Sequence, residues 1–462
     1  MSNNIPDLIK IGSIPSNTAI RIETDILDVT QFNQNNARFL FDSKGFLHPN
    51  SKLTISIDTT GLSARSFYAL NTGVAQLLSR VRLSCGGKTL QEIDDFSNWY
   101  SYRSLFVDNE IQKNKELYTS GRCINHNFLY KQFDPDNSNT EAESVVVDIG
   151  KSPVFDEADG TNSYKLYDFQ FIENKAIFQI NLSEMCPILK MNTMPLYLID
   201  SNNPLVLDLT FTDVSGTGRS CITEGEASTE TYNIKQDDLK IIADYMFYPQ
   251  EFMDEYQVQN PSLTFTYMDY QLSKTSLTDV TAKTLIRNIG GNGRIVTKVI
   301  TGLQNASTAN DSLLNNYISD SPVADYASGA SSKNGSLTAN VKYNNEFLFP
   351  IDVKESAVLF HHTQQAEAVP PFITRDEYNR EGTYLTNGSA TLEGHNIGTN
   401  LQGKFFWQGF RLNKQERISS RGIELYYNYD GLASTTSYTQ RAYLEVVKMA
   451  TLVNGNFSVT FA

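Results

Sequence analysis

The sequence predicts an all-β chain folded in two similar halves. Three observations carry this. Runs in which apolar and polar residues alternate recur along the chain, tight-turn dipeptides join them in pairs, and one module of strand, turn, strand and short capped helix occurs twice, about 258 residues apart. The length of 462 residues allows three domains of about 150 residues or two large sandwiches equally, and a hydrophobic content of 40% with 26 Phe and 24 Tyr supplies enough apolar surface for sizeable cores and for sticky interfaces.

Each element follows from its local pattern. Ile20, Ile22, Thr24 and Ile26 alternate with Arg21, Glu23 and Asp25, and Leu53, Ile55 and Ile57 alternate with Lys52, Thr54, Ser56 and Asp58. Both read as half-buried strands with one wet face. Val81, Leu83 and Cys85 lead into Gly86-Gly87, and the following Lys88-Thr89 invites comparison with a phosphate-binding loop. Such a loop needs a glycine four residues before Gly87, where Arg82 stands, and a helix directly after the threonine. Gly86-Gly87 is therefore expected to be a two-residue hairpin turn, in which both residues take positive φ.

After Asp94-Asp95, Phe96, Trp99 and Tyr100 fall at i, i+3, i+4 behind an aspartate cap, and a short aromatic helix is expected there. Tyr164–Phe171 and Ala176–Leu182 flank Glu173-Asn174 as a further hairpin, and Leu205, Leu207, Leu209 and Phe211 mark another strand.

The pattern restarts after about residue 240. Leu263, Phe265 and Tyr267 alternate with Ser262, Thr264 and Thr266, followed by strand signals at Arg294–Leu303, Lys404–Leu412, Ile423–Tyr429 and Tyr443–Met449. Asn344-Asn345 marks a turn, and Asp352 with Glu355 makes a capping-box pattern ahead of Val353, Ala357 and Phe360. Asn454-Gly455 joins the last two strands. The two domains are expected over 17–245 and 246–462. Polar stretches at Asp134–Asn162, Ser215–Gln236 and Gln304–Asn340 read as surface loops.

Composition excludes several functions. A formal net charge of −14, from 52 acidic against 38 basic residues, repels nucleic acid, so no direct nucleic-acid binding is expected. No apolar run is long enough for a membrane span, and no secretory signal is visible. Cys85, Cys123, Cys186 and Cys221 contain no C-x-x-C pair, which points to folding in a reducing compartment. His361-His362 lacks metal-ligand spacing, and Asp134, Asp136 and Ser138 open like a calcium loop that fails at Asn139 and Val145. No nucleophile elbow is present; no catalytic residue, metal or cofactor is expected, and the chain reads as a non-enzyme. The candidate interface or packing residues are Phe96, Trp99, Tyr100 and Tyr102 in the first half and Val353, Ala357 and Phe360 in the second.

Leu77–Phe106 and Val341–His362, each a hairpin followed by a short helix, resemble the corresponding segments of double jelly-roll major capsid proteins, the lineage of adenovirus hexon, tectivirus, virophage and polinton-like capsids. The length fits the polinton-like or virophage branch. The resemblance implies two eight-stranded jelly-roll β-sandwiches in tandem, with short helices in the connecting loops. It also implies a homotrimer forming a pseudo-hexagonal capsomer, with neighbouring capsomers and minor capsid and penton proteins as partners, located in the virion. Residues 1–16 would be an N-terminal strap, and folding would take place in the cytosol or nucleus of an infected cell. The competing expectation is a trimeric β-sandwich fibre that binds or cleaves glycans, which would show an exposed aromatic strip beside two carboxylates.

Overall fold

The computed structural model describes residues 21–58, 66–67, 72–107, 119–120, 177–212, 222–223, 233–277, 284–305, 336–354, 357–367, 407–414, 416–430 and 438–462. Eight principal strands build the first half: β1 Arg21–Asp28, β2 Asn36–Leu40, β3 Lys52–Ile55, β4 Leu78–Cys85, β5 Lys88–Asp94, β6 Phe178–Asn181, β7 Leu205–Phe211 and β8 Lys240–Phe247. They form two antiparallel sheets in the orders β1-β8-β3-β6 and β2-β7-β4-β5.

The second half repeats this with β9 Ser262–Leu277, β10 Thr284–Gly290, β11 Val296–Asn305, β12 Ser336–Tyr343, β13 Glu346–Phe347, β14 Gln408–Arg411, β15 Ile423–Asp430 and β16 Tyr438–Val453. Its sheets run β9-β16-β11-β14 and β10-β15-β12-β13, so each strand occupies the place of the strand eight before it. In both halves the first strand pairs with the eighth and the second with the seventh, which is the jelly-roll winding. A final strand, β17 Asn456–Phe461, folds back on β16.

The tight turns follow their local chemistry. Gly86 and Gly87 have φ of 54° and 73°, Asn344 and Asn345 49° and 66°, and Asn454 and Gly455 49° and 79°. Two successive positive φ values match the right-handed twist of the flanking strands, and glycine and asparagine reach them most readily. Gly86-Gly87 and Asn344-Asn345 are the same turn in the two rolls, between the fourth and fifth strands. A short helix follows in each: α1 Phe96–Val107 and, in the second roll, α3 Ala357–Ala366. Between the rolls lies α2 Gln250–Gln259.

The core is not divided at the roll boundary. One apolar cluster fills the first roll with Phe39, Leu53, Val81, Leu207 and Ile241, and continues through Trp99 into Leu263, Phe265, Tyr267, Tyr443, Leu452 and Phe457 of the second half. A second cluster, with Val299, Val341, Phe410, Leu425 and Leu444, fills the second roll alone.

Several expectations are corrected. On β1 it is Ile22 and Ile26 that are exposed, while Glu23, Asp25 and Leu27 are half-buried. Asp25 tolerates that side because Lys44 reaches it as an ion pair. Asp352 does not cap a helix; its carboxylate accepts from Asn340 Nδ2 at 3.0 Å, and the short strand Val353–Lys354 separates it from α3. His361 and His362 consequently sit in the middle of α3. Strand β8 runs to Phe247, so the division expected after residue 245 falls inside it. Gln304 belongs to β11, and 336–340 belong to β12 rather than to a loop. The 1–16 strap, the 164–171 strand and the Asp134–Asn162 stretch lie outside the described residues.

Candidate functional site: the seam between the rolls

Helix α1 sits on the first roll and presents its aromatic side to the second. Phe96 and Tyr100 stack on one another with centroids 5.6 Å apart, and Tyr100 Oη donates to Glu184 at 3.3 Å. Trp99 meets Tyr270 at 4.9 Å and Tyr102 meets Trp407 at 6.0 Å. All four predicted aromatic residues are buried. Val353 is buried in the second roll's own core; Ala357 and Phe360 fall within α3, their side chains outside the described residues.

The surface that receives α1 is the outer face of the β9-β16-β11-β14 sheet. On β16, Ala442, Leu444 and Val446 point into the second roll, so by strand alternation Arg441, Tyr443 and Glu445 point at the first. Packing is close. A Cβ added at Gly409 would lie 2.7 Å from Tyr102 Oη and 3.0 Å from the Ala366 Cβ.

Charges buried at the seam are paired. Glu367 accepts from Tyr102 Oη at 2.8 Å and Arg103 Nη1 at 3.1 Å, both from the first roll, and from Lys298 Nζ at 2.8 and 2.9 Å. Lys298 also reaches Glu445 at 3.1 Å, and Glu445 accepts from Tyr270 and Thr297 at 2.6 Å each. Burial alone would raise the Glu445 carboxyl, but Lys298 and these hydrogen bonds outweigh it and hold the pKa below the ordinary value.

Asp95, with φ of 51°, places its carboxylate against Arg441 Nε at 2.6 Å, while its backbone carbonyl accepts from Tyr443 Oη at 2.9 Å. Against the upward push of burial, Arg441 and Lys274 lower its pKa. The expected aspartate cap is thus a bridge between rolls. Its carboxylate takes Arg441 and Asn98 Nδ2, and its backbone carbonyl takes the amides of Asn98 and Trp99. Further along, Leu90 O accepts from Tyr267 Oη and from Lys448 Nζ, and Lys448 pairs with Asp269 at 2.6 Å. There burial dominates, and the Asp269 carboxyl is raised.

Sequence reasoning found the aromatic residues of α1 but missed Tyr267, Tyr270, Lys298, Glu367, Arg441 and Glu445. The usable signal was in β9, where Asp269 and Tyr270 are adjacent and both buried. A strand covered on both faces loses its alternation, and LTFTYMDYQL does so after Tyr267.

Among the described residues no chemistry-bearing constellation replaces the seam. A cleft of about 660 Å³ opens between β5, β9 and the 289–294 loop, lined by Glu92, Asp94, Asp269, Arg294 and Lys448 among others. Asp269 is buried and held by Lys448, while Glu92 faces Arg80 at 3.5 Å. Burial pushes the Cys85 and Cys186 thiols up to about 11 and about 12, away from the reactive thiolate. Exposed Phe347 and half-buried Tyr426 form an aromatic pair, but they meet at 66° instead of lying side by side as a sugar platform, and Glu424 is engaged by the Tyr426 hydroxyl. Among the described residues no helix is long and apolar enough to cross a membrane.

No protein-family model matches the sequence, and no curated protein matches it either. Solved structures do. The chain is similar to PBCV-1 VP54 as fitted into a cryo-EM reconstruction of the virophage Sputnik, with a TM-score of 0.52 at 12% identity over 96% of this chain and 97% of that one. The Sputnik virophage structure at 3.5 Å matches with a TM-score of 0.51 at 10% identity over 96% and 88%. The quasi-atomic PBCV-1 virus capsid matches with 0.50 at 14% identity over 96% and 97%. At such identities the likeness is one of fold, and with the strand order of both halves it establishes the chain as a double jelly roll of the kind that these virus structures contain.

Proposed function

We propose that the protein is a major capsid protein, a structural component whose three copies close into a pseudo-hexagonal capsomer that tiles an icosahedral virion shell. The observation that carries this is the repetition of one roll twice in a chain whose whole length follows virus structures, one of them a capsid. Two near-equal rolls per chain supply six near-equal corners from three copies. The partners are then further copies of the chain, neighbouring capsomers, and minor capsid and penton proteins, with residues 1–16 as a strap.

The buried seam supports a role in architecture rather than turnover. Its titratable groups are spent on one another, as in the Glu367, Lys298 and Glu445 cluster. The negative charge leaves genome contacts to other proteins. Negative-stain microscopy and native mass measurement of the purified chain test this reading: compact pseudo-hexagonal trimers are expected. Monomers would overturn it, and elongated fibres or avid capture on an oligosaccharide array would overturn it in favour of a glycan-binding fibre.

A further inference from the structure

The cleft of about 660 Å³ opens where the two sheets of the second roll come to their edges, since β9 ends one sheet and β10 the other. Its size is that of a small-molecule site. Gly290 and Gly291 line it with backbone alone, and a Cβ added at Gly290 would meet nothing within 4 Å.

Most charges along the cleft are matched. Lys448 is held by Asp269 at 2.6 Å, and Glu92 faces Arg80 at 3.5 Å. Arg294 is not matched in this way. Its guanidinium lies 4.2 Å from the centre of the Phe461 ring, and among the described residues its side chain has no hydrogen bond or ion pair, although it is half-buried.

A second arginine stands behind the wall. Half-buried Arg287 on β10 donates to Gln440 Oε1 at 3.1 Å and to Ser273 Oγ at 2.8 Å, both neutral oxygens. Ser273 lines the cleft, and because its oxygen accepts from Arg287, its own proton is left to be donated elsewhere. Burial works against the charged form of Arg287 and Arg294 and lowers both pKa values from the ordinary arginine value. With the two pairs set aside, Arg287 and Arg294 face only the exposed Asp94 on the β5 rim, a surplus of positive charge in a chain of net charge −14. The winding itself does not ask for this. In the first roll the place of β10 is taken by β2, whose inward residues Ala37 and Phe39 are apolar and buried.

We infer that this cleft binds a small oxyanion, a carboxylate or a phosphate, whose oxygens take the open fork of Arg294 and the Ser273 hydroxyl, with Arg287 supporting the charge from behind Ser273. A planar guanidinium offers two parallel N–H groups to such a group, and Phe461 holds this one from the side. The site lies within one chain, so it does not depend on how many copies assemble.

The test titrates the full chain calorimetrically with inorganic phosphate and, separately, with acetate, each against sodium chloride of equal ionic strength. One saturable site per chain is expected for at least one of the two, and the anion that saturates identifies the class. Arg294→Gln is expected to weaken that binding by about tenfold to a hundredfold, the loss of a charge-assisted hydrogen bond, and Ser273→Ala to weaken it less. Arg411→Gln removes the same charge from exposed β14 at the opposite edge of the sheet and is expected to change nothing. Failure of both anions to saturate, or equal weakening by Arg411→Gln, overturns the site and leaves the capsomer reading standing. Should Arg294→Gln melt early, phenylglyoxal labelling of the unaltered chain decides instead: the saturating anion is expected to slow modification of Arg294 relative to exposed Arg21, and equal rates with and without it overturn the site.

Discussion

The carboxylate of Glu367 accepts from Tyr102, Arg103 and Lys298 at once, and two of these donors belong to the other roll. Removing its charge leaves buried Lys298 and half-buried Arg103 with Glu445 as their remaining anion. Breaking a buried pair by deleting one partner costs about 3–5 kcal/mol, so Glu367→Gln is expected to lower the unfolding free energy by that order, read as a lower denaturant midpoint at unchanged m. Acid should act at the same seam with two signs. Asp95 and Glu445 have folded pKa values below their unfolded ones, so their stabilisation is complete above the unfolded carboxyl range and is lost as pH falls through the folded values. Asp269 is shifted upward, so its protonation comes first and favours the folded state. Melting temperature measured from neutral to acid pH is expected to rise slightly and then fall, and Asp95→Asn should flatten the fall.

Among the elements, the three hairpins separate conformational cost from contact cost. At Gly87, with φ of 73°, an added Cβ meets nothing within 4 Å, whereas at Gly455, with φ of 79°, it would lie 2.9 Å from Asp200 N, where Gly455 O accepts the Asp200 amide. Gly87→Asn should be nearly neutral, since Asn344 and Asn345 hold the same turn in the second roll. Gly455→Val is expected to cost about 1–3 kcal/mol from backbone strain, with the clash added to it. Urea melts of the two variants give the comparison. These turns were legible in the sequence because their chemistry is local: two residues decide φ whatever surrounds them. The side on which β1 is buried was not legible, because alternation fixes a period and leaves open which face meets the core. Asp352 shows the same limit, since its capping-box spacing was satisfied by a partner on β12 that no local window contains.

The molecule as a whole is joined by its cores. Leu263, Phe265, Tyr267, Leu452 and Phe457 lie in one apolar cluster with Leu53 and Leu207, so the first roll is incomplete without the ends of β9, β16 and β17. A chain ending at Asn260 is expected to lack a cooperative melt, and the intact protein to unfold in a single calorimetric transition across both rolls. The tandem arrangement could be read from the repeated module, but the joining could not, because Tyr270, Glu367 and Arg441 meet α1 only through the arrangement of the rolls. One covered sheet face and one bare one also give the chain a polarity.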